Sequence, residues 1–419
     1  MQNTAPKFTP ILFGSDFNVY GMARSFYEIN QQPVRALAEV QLAPTRYSKI
    51  VNVELIPNFS EDPVWIAELR KLKEEYRNHP EPVILIACSD GYSELISKHK
   101  AELKDVFVCP NVDFDLANQL NTKENFYQLC DQYELPYPKT RLISKIDYQN
   151  GTYTQPDTYP VALKPANSIE WVDIHFEGRK KVFIIRSAAE FNEVIKKIYT
   201  NGYTSDMILQ DFIPGDDSNM RVVNAYVDKQ HHVKMMCLGH PLLEDPAPGA
   251  IGNYVAILPE YDEKIYQQLQ NFLEQINYTG FADFDLKWDV RDHSFKLFEI
   301  NLRQGRSSFY VTLAGYNLAQ WLVDDYVNDN LAKREPVFGN QDDQHRQLWL
   351  GVPPATFKKF AKANADKAVA EKLLATGRFG TTFWYKKDRN PMRWLLFKWM
   401  NHNYKKDFAT YFAREKGDN

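Results

Sequence analysis

Cysteine is scarce in this chain: four in 419 residues, at Cys88, Cys109, Cys130 and Cys237, with no C-x-x-C. That argues against a disulfide framework or a thiolate zinc site and suits reduced, structural thiols in a cytoplasmic protein. Long apolar runs are missing. None approaches the roughly 20 residues a membrane span needs. The opening residues, Met1 to Lys7, lack the basic and apolar stretches of a signal peptide. Common signature motifs are absent as well: there is no G-x-x-x-x-G-K-[ST], no G-x-S-x-G and no H-E-x-x-H. Gly14-Ser-Asp-Phe-Asn-Val-Tyr-Gly21 is not the G-x-G-x-x-G dinucleotide fingerprint. Neither sign of charge dominates. The net charge of −4 argues against a surface built for nucleic acid.

What is present describes an ordinary globular protein, 44% hydrophobic and 25% charged, long enough for two or three domains. Its 24 Tyr and 26 Phe read mainly as core and pocket lining. Ile11-Leu-Phe13 breaks into Gly14-Ser-Asp16, Val83-Ile-Leu-Ile-Ala87 into Ser89-Asp90-Gly91, and Val106-Phe-Val108 ends at Pro110. Apolar runs separated by helical stretches predict a parallel α/β sheet over residues 1–118. Its ligands would gather at the strands' carboxyl ends, where Gly14, Asp16 and Asp90 fall.

An α+β body over residues 119–330 follows. It opens with a helix capped by Asn121 or Thr122 and stopped by Leu135-Pro-Tyr-Pro138. A smaller subdomain spans about 140–208. Its strands include Val161-Ala-Leu-Lys164 and Met207-Ile-Leu-Gln210, and a capping box over Ser187–Glu190 opens a helix. Strands near 220–228 and 232–239 and a helix over 262–277 come next. Residues 331–419 read as a helical, basic and aromatic extension. Asn390-Pro-Met-Arg-Trp-Leu-Leu-Phe-Lys-Trp-Met400 fits either a helix packed on the body or one lying on an anionic membrane surface. Nothing in the sequence sets an oligomeric state.

The chemistry concentrates late. Asp283-Phe-Asp-Leu-Lys-Trp and Phe298-Glu-Ile-Asn-Leu-Arg303 interleave acids with strongly apolar residues. Asp285, Glu299 and Asn301 offer the hard oxygens that Mg²⁺ prefers. Arg303, two residues past Asn301, falls on the same strand face. Lys164 places a cation at the end of a buried strand, where either a phosphate or an ordinary ion pair would satisfy it. Lys123 is either a solvated helix residue or a second phosphate ligand. Gln210-Asp-Phe-Ile213-Pro-Gly-Asp-Asp217 is either a plain turn or a hinge beside a flat heterocycle. Arg221, at the head of the next strand, pairs with a carboxylate or a phosphate. Asn301 to Ser308 is an anion cradle or a serine-capped helix start.

The order of these pieces resembles the ATP-grasp carboxylate–amine ligases over roughly residues 10–320, with Phe298-Glu-Ile-Asn-Leu-Arg303 the most specific match. Lys164-Pro-Ala-Asn-Ser, Phe284-Asp-Leu-Lys-Trp and Glu299-Ile-Asn-Leu-Arg-Gln-Gly-Arg-Ser-Ser are similar to the D-aspartate ligases of Gram-positive bacteria. The resemblance implies an ATP-grasp fold behind an N-terminal parallel-sheet domain, with ATP and Mg²⁺ as cofactors. It also implies D-aspartate and a peptidoglycan precursor as substrates. It assigns Lys123 and Lys164 to ATP phosphates, and Gln210, Asp211, Phe212 and Ile213 to adenine, with Asp217 also nucleotide-binding. Asp285, Glu299 and Asn301 would hold Mg²⁺, and Arg221 and Arg303, with Lys164, would serve the acyl phosphate. The chain departs from the family after Lys164, where residues 165–181 hold only Gly178 instead of a glycine-rich flap. Asn167, Ser168 and Lys180 stand in its place. A ligase making small dipeptides and a catalytically inactive nucleotide-binding protein are alternatives.

Overall fold

The apolar runs of the first hundred residues become a five-stranded parallel sheet. The computed structural model describes residues 7–416 apart from 181 and 343. Strands β1 (Thr9–Phe13), β2 (Val34–Ala38), β3 (Val51–Leu55), β4 (Val83–Ala87) and β5 (Phe107–Val108) lie in the order β3-β2-β1-β4-β5. Every residue of β4 is buried, as expected of a parallel strand covered on both faces. The strand order reverses beside β1, so a crevice forms where β1 and β4 end. Helices Phe17–Asn30 and Asp90–Leu103 start there. Asp16 caps the first, accepting from Asn18 N at 3.0 Å and Val19 N at 3.1 Å, and Ser89 caps the second.

The contacts divide the chain into two units, one formed by residues 1–135, 216–286 and 299–419, the other by 136–215 and 287–298. The second unit contains an antiparallel sheet of β6 (Thr140–Ile143), β7 (Val161–Pro165), β8 (Phe183–Ile185) and β9 (Met207–Asp211), ordered β6-β9-β7-β8. Leu163 and Leu209 face Phe191, Ile195 and Ile198 of helix Ala188–Thr200, which leaves Ala162, Lys164, Ile208 and Gln210 on the opposite face. Ser187 accepts from Glu190 N, but the Glu190 carboxylate accepts from Arg186 N, one residue earlier than a capping box requires. The subdomain expected over 140–208 lies inside this unit.

The larger sheet contains β10 (Met220–Val227), β11 (Val233–Glu244), β12 (Tyr254–Glu260), β13 (Gly280–Asp289), β14 (Ser294–Asn301), β15 (Val337–Phe338), β16 (Leu348–Leu350) and β17 (Phe379–Gly380). The order is β14-β13-β10-β11-β12-β16-β17, with β15 beside β11. Helix Glu263–Gln275 buries Ile265, Leu269 and Phe272, the face its periodicity predicts. Gly280 has φ +92°, and a Cβ there would stand 2.0 Å from the Pro110 carbonyl oxygen, so only glycine fits.

Several expectations need correction. Residues 331–419 are not purely helical, since they give β15, β16 and β17 to the larger sheet. Strands of two or three residues carry no readable alternation. The boundaries expected after 118 and 330 both fall inside the first unit. Thr122 occupies the N-cap of helix Lys123–Gln132 without a side-chain cap bond. Lys358, Lys359, Lys362 and Lys367, whose spacing with alanines suggests one solvated helix, fall instead in and between two helices, Pro354–Phe360 and Ala365–Ala375, and Lys367 Nζ donates to the Lys358 and Ala361 carbonyls at the end of the first. Pro391–Met400 begins helix Pro391–Lys416, whose inner face packs within the first unit through Phe408 and Arg393. All four cysteines are free and buried.

Candidate active site

Strand alternation sets the centre of the site. On β13, Ala282, Phe284 and Leu286 point into the core, so Asp283 and Asp285 share the other face. On the neighbouring β14, Ile300 is buried while Glu299 and Asn301 alternate with it. Asn301 Nδ2 donates to the Asp283 carbonyl at 3.4 Å, which fixes the two strand ends side by side. Lys123 Nζ stands 3.9 Å from Glu299 Oε2. Asp285, Glu299, Asn301 and Lys123 therefore lie together within the first unit.

Arg303 is held from the N-terminal sheet. Its Nε and Nη2 meet the Asp90 carboxylate at 2.7 and 2.9 Å, and Nη2 lies 3.4 Å from Asn301 Oδ1. The segment behind it is stitched to the ends of β1 and β4. Ser93 Oγ donates to the Leu302 carbonyl, Asn18 Nδ2 to the Gln304 carbonyl, and Gln304 Nε2 to the Ala87 carbonyl. Gly305 is required here, since a Cβ would come 2.5 Å from Asp283 Oδ2. Ser308 does not cap the helix it precedes. Its hydroxyl donates to the Gly305 carbonyl instead.

Asp283, which has no role in the sequence reading, and Asp90, which is read there only as lying at a ligand-gathering strand end, belong to this group. Asp283 is 8% exposed and shares a strand face with Asp285, so alternation alone could have found it. Asp90 could not have been paired with Arg303, more than 200 positions away, from spacing. Burial pushes the Asp283 carboxyl well up from the ordinary range, with Asp90 and Glu299 adding to it and Arg303 opposing. Burial, then Asp283 and Glu299, push Asp285 up in the same way. The set is thus short of positive charge. Hard oxygens on one face, two of them costly to ionise, fit a divalent cation of the Mg²⁺ type.

The second unit carries its own polar face. Lys164 Nζ donates to Gln210 Oε1 at 2.9 Å, and Gln210 Nε2 donates to Thr140 Oγ1 at 2.9 Å. Asp211 is gripped by Arg291 at 2.7 Å, Phe212 lies 5.4 Å under Lys287 Nζ, and Ile213 is buried. Gln210 and Asp211 thus spend their side chains on other residues, and β9 ends at Asp211, so any edge recognition of a base here falls to main-chain groups. After Lys164 the chain forms a short helix, Ser168–Asp173, started by Asn167, whose Oδ1 accepts from Glu170 N. The Ser168 and Asp217 side chains lie outside the described residues.

Arg221 heads β10, the strand next to β13. It is half-buried against Glu260 at 2.8 Å and donates to the Ser218 and Met220 carbonyls, and His240 holds the same Glu260 at 2.7 Å. A carboxylate is one of the two partners open to it on sequence.

An antiparallel sheet in one unit and, in the other, a larger sheet preceded by a parallel domain are the parts of the ATP-grasp architecture, and solved structures share it. An L-amino acid ligase from Bacillus licheniformis matches with TM-score 0.53 at 14% identity, covering 79% of this chain and 75% of that one. The N5-carboxyaminoimidazole synthetase from Staphylococcus aureus, complexed with ADP, matches with TM-score 0.55 at 13% identity, covering 80% of each. No protein-family model matches the chain. A D-aspartate ligase from Enterococcus faecium (strain Aus0004) is 55% identical over 414 residues, 98% of both chains. The chain belongs to the D-aspartate ligase family and is a ligase that forms carbon–nitrogen bonds. No helix among the described residues is long and apolar enough to cross a membrane.

Proposed function

We propose that this enzyme uses ATP and Mg²⁺ in the cytoplasm to join the β-carboxylate of D-aspartate to the lysine side-chain amine of a peptidoglycan precursor stem peptide. The observation that carries the reading is the convergence of Asp285, Glu299, Asn301 and Lys123 at the ends of β13 and β14, in a chain 55% identical to a D-aspartate ligase. A carboxylate oxygen of the amino acid attacks the γ-phosphorus of ATP. The bond to the β-phosphate oxygen breaks, and ADP and an acyl phosphate result. The amine then attacks the acyl carbon, loses a proton, and inorganic phosphate leaves.

Lys123 and Lys164 neutralise phosphate oxygens as charge spreads over the transferring group. Main-chain groups of Gln210 to Ile213 face the adenine edge, and Asp285, Glu299 and Asn301 hold the cation. Bound there, Mg²⁺ would supply charge neutralisation to the transferring phosphoryl group. Arg303 stabilises the acyl phosphate and the tetrahedral oxyanion. Arg221 serves the acyl phosphate through the strand it anchors. In place of a glycine-rich flap, the segment after Lys164 shields the γ-phosphate with Asn167, Ser168 and Lys180.

The test is ADP release with and without D-aspartate and a lysine-containing stem peptide. Release that requires both supports the reading. Release with free amino acids alone indicates a dipeptide ligase, and ATP binding without release indicates an inactive fold.

Asp90 is a positioning residue in this scheme. Asp90→Asn should lower kcat by roughly tenfold to a hundredfold, because a misaimed Arg303 no longer meets the developing charge. The melting temperature should barely move, since Asp90's side chain is 67% exposed. Steady-state kinetics beside a thermal melt check this, and an unchanged kcat would remove Asp90 from the account.

A further inference from the structure

The helix Pro391–Lys416 is apolar on two sides, and only one is covered. Its inner side carries Arg393, Phe397 and Phe408. Phe397 stacks on Phe383 and Trp384 at 5.8 and 4.8 Å, and Phe408 and Arg393 are 0% and 1% exposed. Its outer side carries Met392, Trp394, Leu395 and Trp399, exposed by 49, 47, 54 and 58%. Positions 392, 395 and 399 form one stripe at helical spacing, with 394 and 398 along its border. The start of the helix is anchored to the loop of residues 40–49. Asn390 Nδ2 donates to the Tyr47 carbonyl at 2.7 Å, and Arg393 donates to the Pro44 and Arg46 carbonyls. That anchorage sets Tyr47, 51% exposed, beside the start of the helix, and Val40 and Leu42 of the same loop are 57 and 45% exposed.

The charge within the patch has one sign, with Glu39 and Asp407 flanking it. Lys398, Lys405 and Lys406 on the helix, and Arg46 and Lys49 on the loop, are exposed. Neither 40–49 nor 389–406 contains an aspartate or glutamate, although the whole chain carries −4. Exposed tryptophans with a basic border match the boundary between acyl chains and anionic headgroups, where indoles concentrate and lysines reach outward. A second copy of the chain fits poorly, because a two-fold contact through this face would set cation against cation.

We propose that this face docks the enzyme on an anionic phospholipid surface, with the helix lying in the interface plane. The docking does not depend on which amine the enzyme uses. The full chain should cosediment with phosphatidylglycerol–phosphatidylcholine vesicles and not with phosphatidylcholine alone. Its tryptophan emission should shift to the blue on binding, and added salt should weaken the association. The variant Trp394→Ser/Leu395→Ser/Trp399→Ser should bind at least about tenfold more weakly, with melting temperature and ligase turnover unchanged. Lys398→Gln/Lys405→Gln/Lys406→Gln should lose most of the preference for anionic vesicles. The proposal is overturned if the unmodified chain ignores anionic vesicles or the serine variant binds equally well. It is also overturned if sedimentation shows a dimer in solution that the serine variant abolishes.

Discussion

Glu299→Gln should reduce substrate-dependent ADP formation by on the order of a thousandfold or more, because a cation ligand is worth several kcal/mol of transition-state charge stabilisation. The same substitution should leave the fold intact or slightly more stable. The Glu299 side chain is 48% exposed, and it adds to the repulsion that raises Asp283 and Asp285. Removing one of three crowded carboxylates relieves that repulsion. Lost turnover with an equal or higher melting temperature is the pattern of a group kept for chemistry at the expense of stability. Near-normal turnover in Glu299→Gln would reject its assignment to the cation.

The second large effect concerns stability. Arg393 is 1% exposed, and its charge has an anion beside it, although its Nη2 makes no hydrogen bond. It meets Asp388 at 3.0 Å, donates to the Pro44 and Arg46 carbonyls, and lies 4.2 Å from the ring centres of both Tyr20 and Phe383. Asp388 in turn accepts from Tyr20 Oη, Ser48 Oγ and Lys49 N, so one ion pair ties the C-terminal helix to the first unit's N-terminal sheet region. Arg393→Met keeps the bulk and leaves Asp388 buried without its cation. We expect a loss of about 3–5 kcal/mol, the usual cost of breaking a buried pair from one side. Urea unfolding of wild type and variant measures it. A loss below about 1 kcal/mol would show that the hydrogen bonds to Asp388 suffice without the guanidinium.

What could be read from the sequence followed periodicity and composition. Val83–Ala87 is apolar at every position, and only a doubly covered strand needs that. Glu299 and Asn301 stand out because acids and amides interrupt strands whose other residues are Phe, Ile and Leu. Lys164 was visible for the same reason. Features formed by distant residues were not visible. The Asp90–Arg303 pair, the Glu260 that holds Arg221, and the loop that receives Arg393 join segments far apart in the chain, and one sequence carries no signal of that. The short strands β15 to β17 fell below the length at which alternation can be counted. At Thr122 a favourable cap residue makes no cap bond, because a sequence preference states only what can form there.

The central claim is that the ends of β13 and β14 hold a magnesium nucleotide. Crystals grown with ADP and Mn²⁺ in place of Mg²⁺ test it directly through the metal's anomalous scattering. The account predicts a peak roughly 2.0–2.3 Å from oxygens of Asp285, Glu299 and Asn301, with the β-phosphate on its far side. A metal peak elsewhere, with those three side chains uncoordinated while ADP is bound, would contradict it.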